Sequence, residues 1–374
     1  MNFDLSEERQ LVVDSVQRFV SDHYDLEKRQ KIAATKQGFS DEHWQTMAEL
    51  GWLGLSLDEA DGGFGGNQID TMLIMEQFGK GLVLEPYLAS VVLGARAIAD
   101  GGSALIKESL LPGVIDGSNQ LALAYAEEQA RFDTEDVVTH ANPVDGGYLI
   151  NGSKSMVTHG ATATHLIVST RTAGGQIDTD GISLFCIPVG TQGLKVSGFP
   201  TVDGLQAAEI ELKDVFVESA NLLGAENQGF QLLNTCIRDG ILAICAEAVG
   251  AMEVLYKDTV AYTSEREQFD HPLSDFQVLQ HRMVDMFMEY EQCKSLLYRA
   301  TLETVQASDT AMRTVHALKH FVGKAGIMIG ENAVQLHGGM GMTEELRIGH
   351  YFKRLLVIDA QFGNSDYHLQ KFVA

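Results

Sequence analysis

YLINGSKSMVT, residues 148–158, reads as two short β-type runs on either side of Asn151-Gly152, the dipeptide that supplies both positive φ angles of a type I′ hairpin turn. Its surroundings share that character. Residues 121–125, 137–139, 148–150, 155–158, 166–169, 182–187 and 210–212 are short β-type runs separated by turn residues, and they predict a β domain over residues 121–225.

On either side the period changes to that of a helix. Ser6 is placed to cap a helix whose first turn carries Glu7 and Glu8 and whose apolar face is Leu11, Val12, Val16, Phe19 and Val20. A second helix is expected to start at Ser40, behind the apolar Phe39, and to stop at Gly51. DEADGGFGGN, residues 58–67, is too rich in glycine for a helix and predicts a loop before another helical stretch over residues 69–78. C-terminal to the β region, RDGILAICAEAVGAMEVLYKDTVAYTSERE (residues 238–267) and residues 277–305 carry continuous apolar faces, as helices of a bundle do. The expected organisation is an α-helical domain over residues 1–120, a β domain over 121–225 and a helical bundle over 226–374.

The 374 residues exceed what one core usually organises. Against 27 Lys and Arg stand 51 Asp and Glu, a net charge of -24, and no basic run offsets it, which argues against nucleic acid and anionic membranes as partners. Cys186, Cys236, Cys245 and Cys293 sit in apolar contexts without C-x-x-C spacing and read as reduced core thiols of a cytoplasmic protein. The acidic start MNFDLSEERQ reads as free of a targeting segment, and no apolar run approaches the roughly 20 residues of a membrane span.

Common catalytic signatures are absent from the sequence: no phosphate loop, no G-x-G-x-x-G after a strand, no G-x-S-x-G elbow. HALKH, residues 316–320, sets two imidazoles one helical turn apart but lacks the glutamate and third ligand of a zinc site. It reads as a solvated helix face, with no metal site.

Five stretches together resemble the acyl-CoA dehydrogenase family, end to end. FDLSEERQLVVDSVQRFV (residues 3–20) resembles its opening helix and ELGWLGLSLDEADGGFGG (49–66) its LGWLGL…GG…G segment. LINGSKSMVTHG (149–160) resembles the segment that passes the flavin ring. SEREQFDHPLSDFQ (264–277) resembles R-x-x-F-G…FQ, and QLHGGMGMTEE (335–345) resembles Q-x-x-G-G-x-G-x-T-x-E. CAEAVGAM, GHYFKRL and FGNSDYHL bring it closest to the small-subunit type of pimeloyl-CoA dehydrogenase and related bacterial heteromeric enzymes. The fold implied is multidomain α+β: an N-terminal α-helical domain, a central barrel-like β-sheet domain and a C-terminal four-helix bundle.

The function implied is α,β-desaturation of an acyl-CoA thioester with FAD as cofactor, as in fatty acid β-oxidation, with electrons passed to an electron-transferring flavoprotein. The resemblance places Thr158 at flavin N5, with Met156 where an aromatic residue is usual. It assigns Arg266 to the FAD pyrophosphate, Phe269 to packing on the cofactor and Gln277 to its adenosine end, lets Gly338 and Gly339 bring backbone N–H groups to a phosphate, and counts Gln335 of the same motif among the cofactor-binding residues. In the family these residues reach the FAD of a neighbouring subunit, so an oligomer is implied. Taken singly, Arg266 reads equally as a surface ion pair, Phe269 as a core residue and Gly338-Gly339 as a helix-breaking turn.

Three departures qualify the resemblance. AYAEEQARFD, residues 124–133, stands where T-E-P-G-A-G-S-D is usual, and Asp270 replaces the glycine of R-x-x-F-G. The third is the base. In IDAQFGNSDYH, residues 358–368, the usual loop glutamate falls on Gln361 or, one residue along, on Phe362, and the alternative helix position falls on Gly240. Asp239 is the first candidate for the missing base, although one helical residue is turned by about 100°. Asp359 is the second. Two readings follow: a complete homo-oligomeric dehydrogenase using an unusual aspartate, or a base-less FAD-binding subunit completed by a homologous large subunit.

Overall fold

The structure is a computed structural model that describes residues 5–374; the reading of a leaderless N-terminus falls in part outside them. Helices α1 (Glu7–His23), α2 (Leu26–Ala33), α3 (Asp41–Glu49), α4 (Gln68–Gly81), α5 (Arg96–Gly101) and α6 (Ala104–Ile115) precede the strands. Strands β1 (Leu121–Ala124), β2 (His140–Val144), β3 (Gly147–Thr158), β4 (His165–Arg171), β5 (Ile182–Pro188), β6 (Leu194–Pro200), β7 (Gln206–Glu218) and β8 (Leu222–Leu223) follow. Then come α7 (Gly229–Glu265), the short strands β9 (Glu267–Gln268) and β10 (His271–Pro272), and helices α8 (Gln277–Val305), α9 (Ala311–His337), α10 (Arg347–Ala360) and α11 (Ser365–Val373).

Local chemistry sets several helix ends as expected. Ser6 Oγ accepts from Arg9 N at 3.3 Å and Ser40 Oγ from His43 N at 3.3 Å, while Gly51 takes φ 78° after α3. These bonds satisfy donors that the first turn of a helix leaves open.

Two compact units form. One contains residues 32–67 and 84–240; the other contains the chain up to Lys31, Gln68–Val83 and Ile241–Ala374. In the first, eight strands make one sheet in the order β6-β7-β3-β2-β4-β5-β8, with β1 parallel to β4. No pairing joins β6 to β8, so the sheet is open and the barrel-like expectation is corrected. Its buried face carries Ile150, Leu166, Val168, Phe185, Ile187, Ala208, Ile210 and Val215, each large side chain worth about 1.5–3 kcal/mol on removal from water.

The hairpin expected at Asn151-Gly152 does not form there. β3 runs through both residues as one strand, and the turn lies earlier, at Asp145-Gly146, between the paired residues Val144 and Gly147. Asn151-Gly152 instead marks a register shift against β7 between Ile150 and Gly152, where Asn151 Nδ2 donates to Asp214 at 3.1 Å and Asp214 N returns to Asn151 Oδ1 at 2.8 Å. A bulge of this kind uses the same residue types as a tight turn. The run at 137–139 lies before β2, and β6 went unread.

The second unit gathers α1, most of α2, α4, the greater part of α7 and α8 to α11. Along α9, Val315, Leu318, Val322, Ala325, Ile329 and Ala333 are buried at the spacing of one helical face. Against α7, α4 approaches at reciprocal glycines: a Cβ on Gly79 would lie 1.9 Å from Glu247 O, and one on Gly250 1.9 Å from Glu76 O. Only glycine permits backbones to meet so closely.

All four cysteines are free and buried. Among the described residues no helix is long and apolar enough to cross a membrane.

Candidate flavin and thioester site

In the sheet unit the expected flavin-contacting residue Thr158 lies at the end of β3. A second register shift against β7, between Lys154 and Val157, pushes Met156 out to 56 % exposure with φ 53°. Positive φ is costly for an unbranched but bulky side chain, and such strain gathers at functional sites. Thr158, two residues on, is half-buried and pairs with Ala207.

Behind this segment lies a feature that sequence reasoning missed. Lys154 is buried, with Nζ 2.7 Å from Glu127 Oε1, 2.9 Å from Ser169 Oγ and 3.3 Å from Tyr125 O. Glu127 also accepts from Val138 N at 2.9 Å and Thr139 N at 3.1 Å. Burial pushes the Lys154 ammonium down to about 8, against the pull of Glu127. Burial raises Glu127, but Lys154 and the added hydrogen bonds outweigh it and leave this carboxyl below its ordinary value. The pair clamps residues 124–133, the segment that departs most from the family pattern. Its signal in the sequence was two charges beside β-type runs, Glu127 after residues 121–125 and Lys154 before residues 155–158.

In the helical unit, Arg266 follows α7, and β9 and β10 form a hairpin whose two turn residues are Phe269 (φ 57°) and Asp270 (φ 62°). Two positive φ angles favour Asn-Gly; Phe269 adopts that conformation without a compensating burial. It is 85 % exposed and meets Phe276 only edge-on at 6.4 Å. It is therefore no core residue. Arg266 is exposed and forms no ion pair among the described residues, so neither single-residue alternative holds. Gln277 is exposed at the start of α8.

The end of α9 belongs to the same unit. Gln335 lines a cavity of about 320 Å³ with Leu273, Val278, Leu279, Arg282 and Leu336. Gly338 ends the helix at φ 61°, ψ -142°, a conformation essentially confined to glycine. A Cβ on Gly338 or Gly339 would meet nothing within 4 Å. The protein's own packing thus gives no reason for glycine at 339, whereas a group approaching from outside would. An exposed guanidinium, an unpacked aromatic ring, a cavity and an open glycine pair fit a dinucleotide with a pyrophosphate.

The candidate bases are placed less favourably. Gln361 caps the end of α10, its N–H donating to Val357 O at 3.0 Å, and Phe362 is buried at φ 58°. Neither side chain takes a proton. Asp359 Oδ1 accepts from Ser365 N at 3.0 Å and anchors the turn into α11. Gly363 has φ 106°, and a Cβ there would stand 2.6 Å from Tyr367 and 2.8 Å from His368 Nε2. In the sheet unit Asp239 is buried, its Oδ1 accepting from Arg238 Nε at 3.0 Å and Nη2 at 2.9 Å, with Arg96 Nε 4.0 Å from Oδ2. Gly240 offers no side chain. Glu247, buried in the helical unit, is held by Arg354 through two hydrogen bonds at 2.6 and 2.7 Å.

HALKH differs from its reading as a solvated face. His316 Nδ1 is 2.9 Å from His368 Nδ1 and His320 Nδ1 is 2.8 Å from Ser365 O, so α11 and the turn before it cover both rings.

Comparison with known proteins agrees over the whole length. Residues 6–118, 122–215 and 227–373 match, respectively, the N-terminal, middle and C-terminal domains of acyl-CoA dehydrogenase. The chain is 29 % identical over 371 residues to "Probable acyl-CoA dehydrogenase YngJ" of Bacillus subtilis, covering 98 % of this chain and 97 % of that one. The structure of the "FAD complex of PigA" superposes with a TM-score of 0.92 at 26 % identity, covering 100 % and 98 % of the two chains. A structure of the Tcur3481-Tcur3483 steroid ACAD does so with 0.88 at 26 % identity, covering 98 % and 97 %.

Proposed function

The chain belongs to the acyl-CoA dehydrogenase family, and we propose that within it this subunit binds FAD and takes part in α,β-desaturation of an acyl-CoA thioester while a homologous large subunit supplies the proton acceptor. One observation carries the reading. Gln361, Phe362 and Gly240 have no ionisable side chain, and the adjacent Asp239 already turns its oxygens to Arg238 and Arg96. A general base must be within reach of its proton and free to accept it. The double designation of the Tcur3481-Tcur3483 relative is in keeping with a two-chain enzyme.

FAD, when bound, supplies the acceptor for the hydride that leaves the β-carbon. In this reading Arg266 would pair with its pyrophosphate, Phe269 would stack on it, Gln277 would bond its adenosine side, Gln335 would meet it from the cavity it lines, and Gly338 and Gly339 would admit it to the backbone. Thr158, after the strained Met156, donates at the flavin ring. The turn at residues 360–364 holds the thioester carbonyl by backbone N–H groups, which stabilises the enolate as the α-proton leaves. The domains are then residues 1–120, 121–225 and 226–374, the C-terminal helices acting as a bundle. The electron acceptor is an electron-transferring flavoprotein, and the setting is cytoplasmic.

The test is purification of the chain alone and with a co-expressed homologue, followed by anaerobic titration with octanoyl-CoA. Yellow colour and bleaching only in the two-chain preparation are expected. Bleaching by the chain alone that is abolished by Asp239→Asn would overturn the proposal in favour of a self-sufficient enzyme, a reading that the burial of Asp239 beside Gly240 keeps open to experiment.

A further inference from the structure

The turn between α10 and α11 is held by side chains that nothing above employs. Lys319 Nζ, from the middle of α9, is 2.9 Å from Asp359 O and 2.7 Å from Gly363 O. His368 Nε2 is 3.0 Å from Phe362 O, and His320 Nδ1 is 2.8 Å from Ser365 O. Four carbonyls within residues 359–365 are thus taken by α9 and α11. Because His368 Nε2 faces an acceptor, it carries the ring proton. His368 Nδ1 is then left to accept from His316 Nδ1–H at 2.9 Å, which fixes both tautomers.

Lys319 and His368 are almost wholly buried, at 0 % and 1 % exposure. An ammonium there costs desolvation energy that methionine or leucine would avoid. Burial lowers Lys319 to about 8 and His368 to about 3. The desolvation cost thus offsets part of what the hydrogen bonds to the turn carbonyls contribute.

What a tether does follows from peptide geometry. All peptide bonds in the described chain are trans, and in a trans peptide the N–H points opposite to the C=O of the same unit. Drawing the carbonyls of Phe362 and Gly363 toward His368 and Lys319 turns the N–H groups of Gly363 and Asn364 away from them. The N–H of Gln361 is already committed to Val357 O.

We propose that Lys319 and His368 are positioning residues: they lock the peptide planes of the turn so that the N–H groups of Gly363 and Asn364 are presented together as donors to the acyl-thioester carbonyl. The proposal rests on the reading of this turn as the one that meets substrate. It explains why a turn without its proton acceptor keeps an elaborate frame: the frame serves the carbonyl, and the base is a separate part.

The experiment uses the flavin-loaded protein with any homologous subunit that co-purifies, and compares His368→Gln with His368→Asn. The glutamine amide reproduces the Nε2 donor and the asparagine amide does not. Hydrogen exchange at amides 359–366 is expected to accelerate about tenfold or more in His368→Asn and in Lys319→Met, and to stay near wild type in His368→Gln. With octanoyl-CoA and a dye acceptor, kcat should fall about tenfold to a hundredfold in His368→Asn with KM and flavin content little changed, as when an oriented donor is misplaced. Equal losses in the two His368 variants, or unchanged exchange in both, overturn the proposal. If Lys319→Met fails to fold, the two His368 variants still decide the matter by themselves. A wild-type protein that binds FAD but neither binds nor oxidises octanoyl-CoA sinks the functional reading alone, and the exchange rates still decide whether the tethers fix the turn.

Discussion

Two lysines, Lys154 in the sheet unit and Lys319 in the helical unit, are both buried, and burial pushes both down to about 8. Their partners differ. Lys154 faces a carboxylate, Glu127, which is itself tied to Val138 and Thr139 N–H groups. Lys319 faces two backbone carbonyls. The first arrangement neutralises a charge pair inside a sheet and makes each member hostage to the other. The second commits an ammonium to holding a turn through uncharged carbonyl partners. Burial alone therefore does not say what a lysine is for; the partner does.

The contrast predicts unequal costs. Lys154→Met leaves the Glu127 carboxylate buried without its cation and should cost about 3–5 kcal/mol, read as a lower urea midpoint. The double variant Glu127→Gln with Lys154→Met should recover part of that loss, and a double variant as unstable as the single one would break the distinction. Lys319→Met leaves two carbonyls short of a donor but relieves a buried charge, so its net cost should be about 1–3 kcal/mol. If it costs more than Lys154→Met, the carbonyl-facing lysine is the more structural of the two.

Proton linkage gives a smaller and independent reading. Each lysine has a folded value near 8, below its ordinary 10.5, so between these values the unfolded chain binds more protons and stability rises with pH. The urea midpoint should climb between about pH 8 and about 10.5, and less so in either lysine variant. His368 works on the acid side. Burial, with Lys319, His316 and His320 adding repulsion against the hydrogen bond to Phe362 O, lowers it from 6.5 to about 3. The unfolded chain takes up that proton first, so stability is lost as pH falls from about 6.5 toward 3, and His368→Gln should flatten this slope. The lower end of the scale lies on the exposed hairpin. Asp270→Gly relieves a positive φ and should raise the unfolding free energy by about 0.5–1 kcal/mol, with no change in either pH slope.

How much of this was legible depended on how local the cause was. Ser6 and Ser40 cap their helices through residues three positions away, and such spacing can be read directly. Asn151-Gly152 was a sound local signal with the wrong outcome, because its use as a bulge is decided by pairing with β7, where the partner Asp214 lies 63 residues later in the chain. The motif letters singled out Arg266, Gln335, Gly338 and Gly339, which the structure sets just after α7 and at the end of α9. Letters did not reveal that Phe269 stands exposed on a strained turn, since exposure depends on what fails to cover it. HALKH misled for the converse reason: two histidines one turn apart look like a wet face until α11, from the far end of the chain, covers them. Lys319 lies between those histidines, and its carbonyl partners are 40 and 44 positions away.

Gly339 has one further use. Nothing of its own chain lies within 4 Å of where its side chain would begin, so alanine there asks nothing of the fold. Whatever such a substitution disturbs must arrive from outside. That makes the position a reporter for cargo, separating a protein that cannot assemble its shape from one that has its shape and cannot be loaded.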